Sequence, residues 1–175
     1  EQLGRALNGV LPLDIRVGSL EDAAPGFHAI RDAKRKRYRY RIWDAPRHDV
    51  FRRGHTWHVR TRLDDSSMER ASRRLIGTHD FACFQAAGSR RATTIRTVTE
   101  ARWYRDPQDA DELDFEIEAN GFLYNMVRGI VGSLVEVGRG SRSVEWFEEI
   151  LLSGERTRAG PSAPPHGLYL VSVDY

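Results

Sequence analysis

Residues 113–137 read LDFEIEANGFLYNMVRGIVGSLVEV, and the spacing of the apolar side chains changes partway along. Leu113, Phe115, Ile117 and Ala119 alternate with Asp114, Glu116 and Glu118. A period of two predicts a strand with its apolar residues inward and its acids outward. From Phe122 to Val137 apolar residues fall nearly all round a helical wheel. That pattern predicts a buried helix. Upstream, Ile95 to Tyr104 reads as another strand, and the Asp- and Pro-containing stretch between the two predicts a hairpin. Downstream, Ser143 caps a short amphipathic helix carrying Phe147, Ile150 and Leu151, which Gly154 ends. Glu155 to Gly167 is a Pro/Gly-rich loop, and Leu168 to Tyr175 is a last strand. Strands and helices mixed through hairpin-like connections give an α+β fold, with a largely antiparallel sheet flanked by helices.

Toward the N-terminus, Arg37 to Trp43 alternates cleanly. Tyr38, Tyr40 and Ile42 share one face, and Arg37, Arg39 and Arg41 the other. His55 to Arg60 predicts a second strand with Trp57 and Val59 inward, and Ile15 to Val17 a short one. Ser66 and Glu69 have capping-box spacing ahead of Met68, Ala71 and Leu75, a helix closed by Gly77. Gln2 to Asn8 reads as the end of a helix with no capping residue before it. Residues are therefore expected upstream. With no internal repeat and no long linker, residues 1–175 are read as one domain, a part of a larger protein.

Composition narrows the function. No apolar run is long enough to span a membrane. The single cysteine, Cys83, excludes an intrachain disulfide framework and fits a reducing, cytoplasmic setting. Net charge is only +2, yet the segment Arg31–Arg62 holds 12 basic and 3 acidic residues, whereas Asp106–Glu118 holds 7 acidic and no basic ones. The basic segment points to a polyanion partner, or else to a solvated basic face. Of the 27 basic residues only Lys34 and Lys36 are lysine, and the guanidinium is the better fork for phosphate.

Few residues could carry chemistry. The histidines form no metal-ligand spacing, and neither a P-loop, a GxGxxG nor a GxSxG is present. Asp80, in His79-Asp80-Phe81, is expected to bond backbone where a loop enters a strand. Arg128 stands out. It lies in the apolar 122–137 segment, and its helical neighbours Tyr124, Asn125, Val131 and Gly132 include no carboxylate. A buried guanidinium without a partner costs several kcal/mol. It must reach water, or a carboxylate from elsewhere must meet it, structurally or to be held ionised for catalysis. Gly129 and Gly132 would let another backbone approach this helix. Tyr38 and Tyr40 are either core rings or platforms for a base beside phosphate-binding arginines.

Several segments together resemble one family. They are Ala6-Leu7-Asn8, Leu11-Pro12, Asp14-Ile15, Phe27-His28-Ala29, Arg37-Tyr38-Arg39-Tyr40, Gly77, His79-Asp80-Phe81 with Phe84, Phe122 to Arg128 with Ile130-Val131-Gly132, and Gly167-Leu168-Tyr169-Leu170. In that order and spacing the chain resembles the tRNA pseudouridine synthases of the TruA type, from near Ala6 to Tyr175. The resemblance implies isomerisation of uridine to pseudouridine in the anticodon arm of tRNA, by a homodimer and without a cofactor or metal. A catalytic aspartate detaches the base, which is reattached through carbon, after the nucleotide is flipped into a pocket. It further implies that Tyr38 stacks on the substrate, that Leu168 lines the uracil pocket, and that Arg128 is the catalytic arginine pairing with the aspartate. The basic residues Lys34, Lys36, Arg37, Arg39 and Arg41 are expected to contact RNA phosphates.

Two departures bear on this. The family's aspartate lies in a Gly-Arg-Thr-Asp segment, which the 175 residues do not contain. Arg60-Thr61-Arg62-Leu63-Asp64 differs in spacing and context and is no substitute. The chain is therefore expected to be the C-terminal part of the enzyme and inactive alone. Where the family commonly has arginine after Phe-His-Ala, this chain has Ile30. The alternatives are a non-catalytic RNA-binding module and a structural or dimerisation fragment.

Overall fold

The computed structural model describes residues 2–86, 88 and 92–175. In chain order the elements are α1 (Gln2–Val10), β1 (Arg35–Trp43), β2 (Trp57–His58), α2 (Asp65–Ser72), β3 (Gly77–Asp80), β4 (Ile95–Asp106), β5 (Asp109–Ala119), α3 (Met126–Gly138), α4 (Val144–Ser153) and β6 (Leu168–Asp174). The fold is α+β. One sheet runs β2-β1-β5-β4-β3, with β6 also on β1, and every pairing is antiparallel except β1 with β2.

Contacts divide the chain into two compact units, residues 1–32 and Ala33–Tyr175. In the first, α1 buries none of its residues. The short strand expected at 15–17 does not form. Instead the Asn8 side chain donates to the Val17 carbonyl at 3.0 Å and accepts from its N–H at 2.8 Å, taking the place of a strand partner.

The second unit holds the core. Tyr40, Ile42, Leu113, Phe115, Ile117 and Ala119 face Met68 and Ala71 of α2, Ile130, Val131 and Leu134 of α3, and Phe147 and Ile150 of α4, all buried. Cys83 is part of this core, and burial pushes its thiol up to about 12. The 4-residue start of the expected 122–137 helix is missing because Asn125 takes a left-handed conformation, φ 59°, and α3 begins only at Met126. Asparagine tolerates that region better than most residues. The cap of α2 is Asp64, which accepts from the Ser67 N–H, and not Ser66. Glu69, freed from a capping role, accepts from the Trp103 N–H and from Arg73. Of the second strand expected at 55–60, only Trp57 and His58 join the sheet, while Thr56 makes an isolated bridge with Arg53.

The acids of β5 were expected to point outward. They do leave the core, but Asp114 and Glu116 are only 5% and 4% exposed. Antiparallel register sets Arg37 opposite Glu118, Arg39 opposite Glu116 and Arg41 opposite Asp114. Arg102 of β4 reaches Glu116 from the other side at 2.8 Å. The arginines thus roof the carboxylates. Despite desolvation, hydrogen bonds from Arg102, Arg39 and Tyr104 hold Glu116 down at about 2. Asp114 has longer contacts, 3.6 Å to Arg41 and 3.7 Å to Arg39, and one oxygen lacks a hydrogen bond. Burial then wins and pushes it up to about 6.

The two shifts act oppositely on stability. Glu116 contributes above its unfolded value and loses that contribution as pH falls toward 2. Asp114 holds its proton more tightly when folded, so stability falls as pH rises from about 4 to 6. Asp114→Asn is expected to remove that fall and to stabilise the protein at pH 7 by on the order of 1 kcal/mol after screening. Urea unfolding of both proteins at pH 4 and pH 7 checks this. An equal stability difference at the two pH values would contradict it.

Candidate active site

Where Asn125 breaks the helix, residues 122–127 wrap round one end of α3 and meet β1 and β6. They enclose a cleft of about 350 Å³ with Lys36, Tyr38 and Leu168. Tyr38 and Leu168 face it together because β6 pairs Tyr40 with Leu168 and Tyr38 with Leu170, one alternate position along. The Tyr38 ring is half-buried and stands edge-on to Phe122, centroids 5.0 Å apart at 84°. Burial raises its phenol above the ordinary value, so the ring is presented neutral.

Arg128 follows the cleft residues along α3 and bonds one of them, Asn125. Its Nε donates to the Ala163 carbonyl at 2.7 Å, and its Nη1 donates to Asn125 Oδ1 at 3.2 Å. The Ala163 N–H returns a bond to the Arg128 carbonyl at 2.9 Å. That loop sits close because α3 offers glycine: a Cβ at Gly132 would lie 1.7 Å from the Pro161 carbonyl oxygen. Ser133 Oγ adds a bond from the Gly160 N–H at 2.9 Å. Among the described residues no carboxylate pairs with Arg128. Three of the five guanidinium N–H groups, one on Nη1 and both on Nη2, make no bond to a described residue.

The five basic residues expected to act together are separated by the strand period. Lys36 lies on the Tyr38 side and lines the cleft. Arg37, Arg39 and Arg41 lie on the opposite face, and each is paired: Arg37 with Glu100, Glu116 and Glu118, Arg39 with Glu116, Arg41 with Glu112. Any phosphate contact by these three arginines would therefore be made by guanidinium groups already paired with carboxylates. Lys34 is exposed, and its N–H donates to the Asp174 carbonyl. Asp80 accepts from the Ala82 N–H, the backbone role expected of it. Asp64 is occupied as the α2 cap and held below its ordinary value by Ser67.

Phe122, Asn125 and the Ala163 carbonyl had no role assigned from sequence. Asn125 carried a signal, as a polar residue three before Arg128 in an otherwise apolar stretch. The Ala163 carbonyl carried none, since any residue supplies one. No group of three or more acids, histidines or cysteines could hold a metal among the described residues, and no described helix is long and apolar enough to cross a membrane.

Residues 71–175 match the family model described as tRNA pseudouridine synthase. The chain belongs to the tRNA pseudouridine synthase family. It is 48% identical over 163 residues to tRNA pseudouridine synthase A of Halalkalibacterium halodurans, covering 93% of this chain and 61% of that protein. It is 46% identical over all 175 residues to the enzyme of the same name from Thermoanaerobacter sp. strain X514, covering 70% of it. A third such enzyme, from Acetivibrio thermocellus, is 43% identical over 175 residues, with 70% covered. The chain thus spans between 61% and 70% of the length of these curated relatives. The cleft residues Phe122 to Val127 and Leu168, and Arg128 beside them, fall inside the matched region.

Proposed function

We propose that this chain supplies the uridine-receiving cleft and the aspartate-positioning arginine of an enzyme that converts uridine to pseudouridine in tRNA. One observation carries this: beside an aromatic cleft stands a guanidinium that bonds the cleft-lining Asn125 through Nη1 and the Ala163 carbonyl through Nε, with no carboxylate partner among the described residues. Tyr38 offers its ring to a flipped base, with Phe122 holding that ring from the side. Leu168 closes the cleft with an apolar surface, and Lys36 places a cation where the nucleotide's phosphate would enter. Arg128 receives the catalytic aspartate, keeps it ionised and fixes its direction toward the sugar–base bond. That aspartate is not among the described residues; the family resemblance places it in a Gly-Arg-Thr-Asp segment. The narrower attributes, a homodimer acting on the anticodon arm, rest on that resemblance alone.

For Arg37, Arg39 and Arg41 to contact phosphates as well, each must share its guanidinium with a carboxylate of β4 or β5. The deciding experiment uses the full-length protein and tRNA tritiated at uridine C5. Tritium release is expected, because carbon 5 loses its hydrogen when the base is rejoined through carbon. Tight tRNA binding without release would favour the alternative, an RNA-binding module without catalysis.

A further inference from the structure

Arginines in this protein are mostly spoken for. Arg37, Arg39, Arg41, Arg52, Arg62, Arg102 and Arg105 all pair with carboxylates. A cavity at the β2 edge of the sheet departs from that pattern. About 530 Å³ in volume, it is walled by His48, Arg53, Trp57, His58, Arg60 and His166, and no carboxylate lines it. Arg53 and Arg60 are exposed, and neither has a carboxylate partner among the described residues. The two flanking rings are fixed: His58 Nε2 lies 2.8 Å from the Ala45 carbonyl, and His48 packs on it at 4.9 Å. Trp57 makes an apolar back wall, edge-on to Tyr40 at 6.2 Å. In a chain with 25 acidic residues, leaving such a pocket free of all of them keeps its cations uncompensated.

Its position is also informative. β2 pairs with Ile42 and Trp43, so the cavity lies along β1 from Tyr38. Four residues of strand amount to about 13 Å. His166 lines the cavity, and two residues later Leu168 lines the uridine cleft. A ligand extending from the cleft past the Pro165–Gly167 turn meets Arg53 and Arg60 next.

We infer that this cavity is a backbone-phosphate subsite for the RNA strand whose uridine enters the Tyr38 cleft. The assignment rests on the proposed function, but its test does not require turnover. Arg53 and Arg60 act as paired cations on a phosphodiester. Because neither arginine braces the core, replacing them leaves the fold and the uridine cleft intact.

The experiment measures tRNA binding by the full-length protein across a salt series, for wild type, Arg53→Gln/Arg60→Gln, and Arg53→Lys/Arg60→Lys. Arg158→Gln is the control, an exposed arginine paired with Glu149. The double Gln variant is expected to bind about tenfold more weakly and to lose about 0.7–1.8 from the log K versus log salt slope, one to two phosphate contacts. The Lys variant should keep most of the slope, and turnover at saturating tRNA should be unchanged. Wild-type affinity and slope in the double Gln variant would overturn the assignment. So would an equal slope change in Arg158→Gln, which would mean a diffuse field, or a fall in saturated turnover, which would place the arginines in the chemistry or the fold. A wild-type protein that binds tRNA yet releases no tritium would sink the proposed function and leave the subsite standing.

Discussion

Tyr38→Ala in the full-length protein is expected to cut pseudouridine formation by about 10- to 100-fold or more, while the protein stays folded and still binds tRNA. A base–aromatic stack is worth about 1–3 kcal/mol, and each 1.4 kcal/mol is about tenfold. The ring is placed for such a stack, half-buried at the cleft wall and braced edge-on by Phe122. Its hydroxyl makes no hydrogen bond to a described residue. Tyr38→Phe should therefore keep both stability and most of the activity. A ring that is simply core gives the reverse result: Tyr38→Ala would unfold the protein, and the folded remainder would turn over normally. Tyr40, two residues on, is the internal comparison. It is fully buried, its hydroxyl donates to the Pro164 carbonyl at 2.7 Å, and burial pushes its phenol up. Loss of that ring should unfold the protein, so the pair separates a presented tyrosine from a structural one on a single strand.

What the sequence disclosed followed from periodicity. The alternation at 113–119 and 37–43 located β5 and β1, and the apolar 122–137 stretch located the buried helix. Two facts about those strands were written in the sequence but lay in their combination. Arginine recurs at 35, 37, 39 and 41 in β1, and acids at 112, 114, 116 and 118 in β5. In antiparallel register the two rows meet as Arg37–Glu118, Arg39–Glu116 and Arg41–Asp114. Taken separately, they look like a basic segment awaiting a polyanion and an acidic segment in solvent. The same period assigns Lys36 to the Tyr38 face, away from the arginines.

Other features depend on tertiary contacts that no local pattern encodes. The start of α3 was misplaced because one residue, Asn125, adopts φ 59°, and helical composition on both sides of it conceals the break. The Ala163 carbonyl that holds Arg128 is delivered by a loop whose approach is set by Gly132 and Ser133. Glycine spacing showed that something comes close to α3, but not what. The cationic cavity joins His48, Arg53 and Arg60 to His166, more than 100 residues away, through the sheet edge.

Arg128→Met is expected to abolish turnover in the full-length protein while tRNA binding survives. Methionine keeps most of the volume and removes the charge. The catalytic aspartate would then sit in the cleft without its cation, so its pKa should rise and its direction be lost. Residual activity should show the acid limb of the kcat/KM profile displaced to higher pH, a change that a purely structural arginine would not produce. Arg128→Lys should rescue little. A lysine carries the charge but cannot bond Ala163, Asn125 and a carboxylate at once through a fixed fork. In the 175-residue chain by itself the effect should be confined to stability. The Ala163 carbonyl and Asn125 Oδ1 each lose a donor, a cost of about 1–3 kcal/mol per group if no water replaces it. The removal of a half-buried charge that has no carboxylate beside it offsets part of that cost. Two outcomes would make Arg128 a structural residue: full turnover in Arg128→Met, or an ion pair between Arg128 and a carboxylate from within residues 1–175.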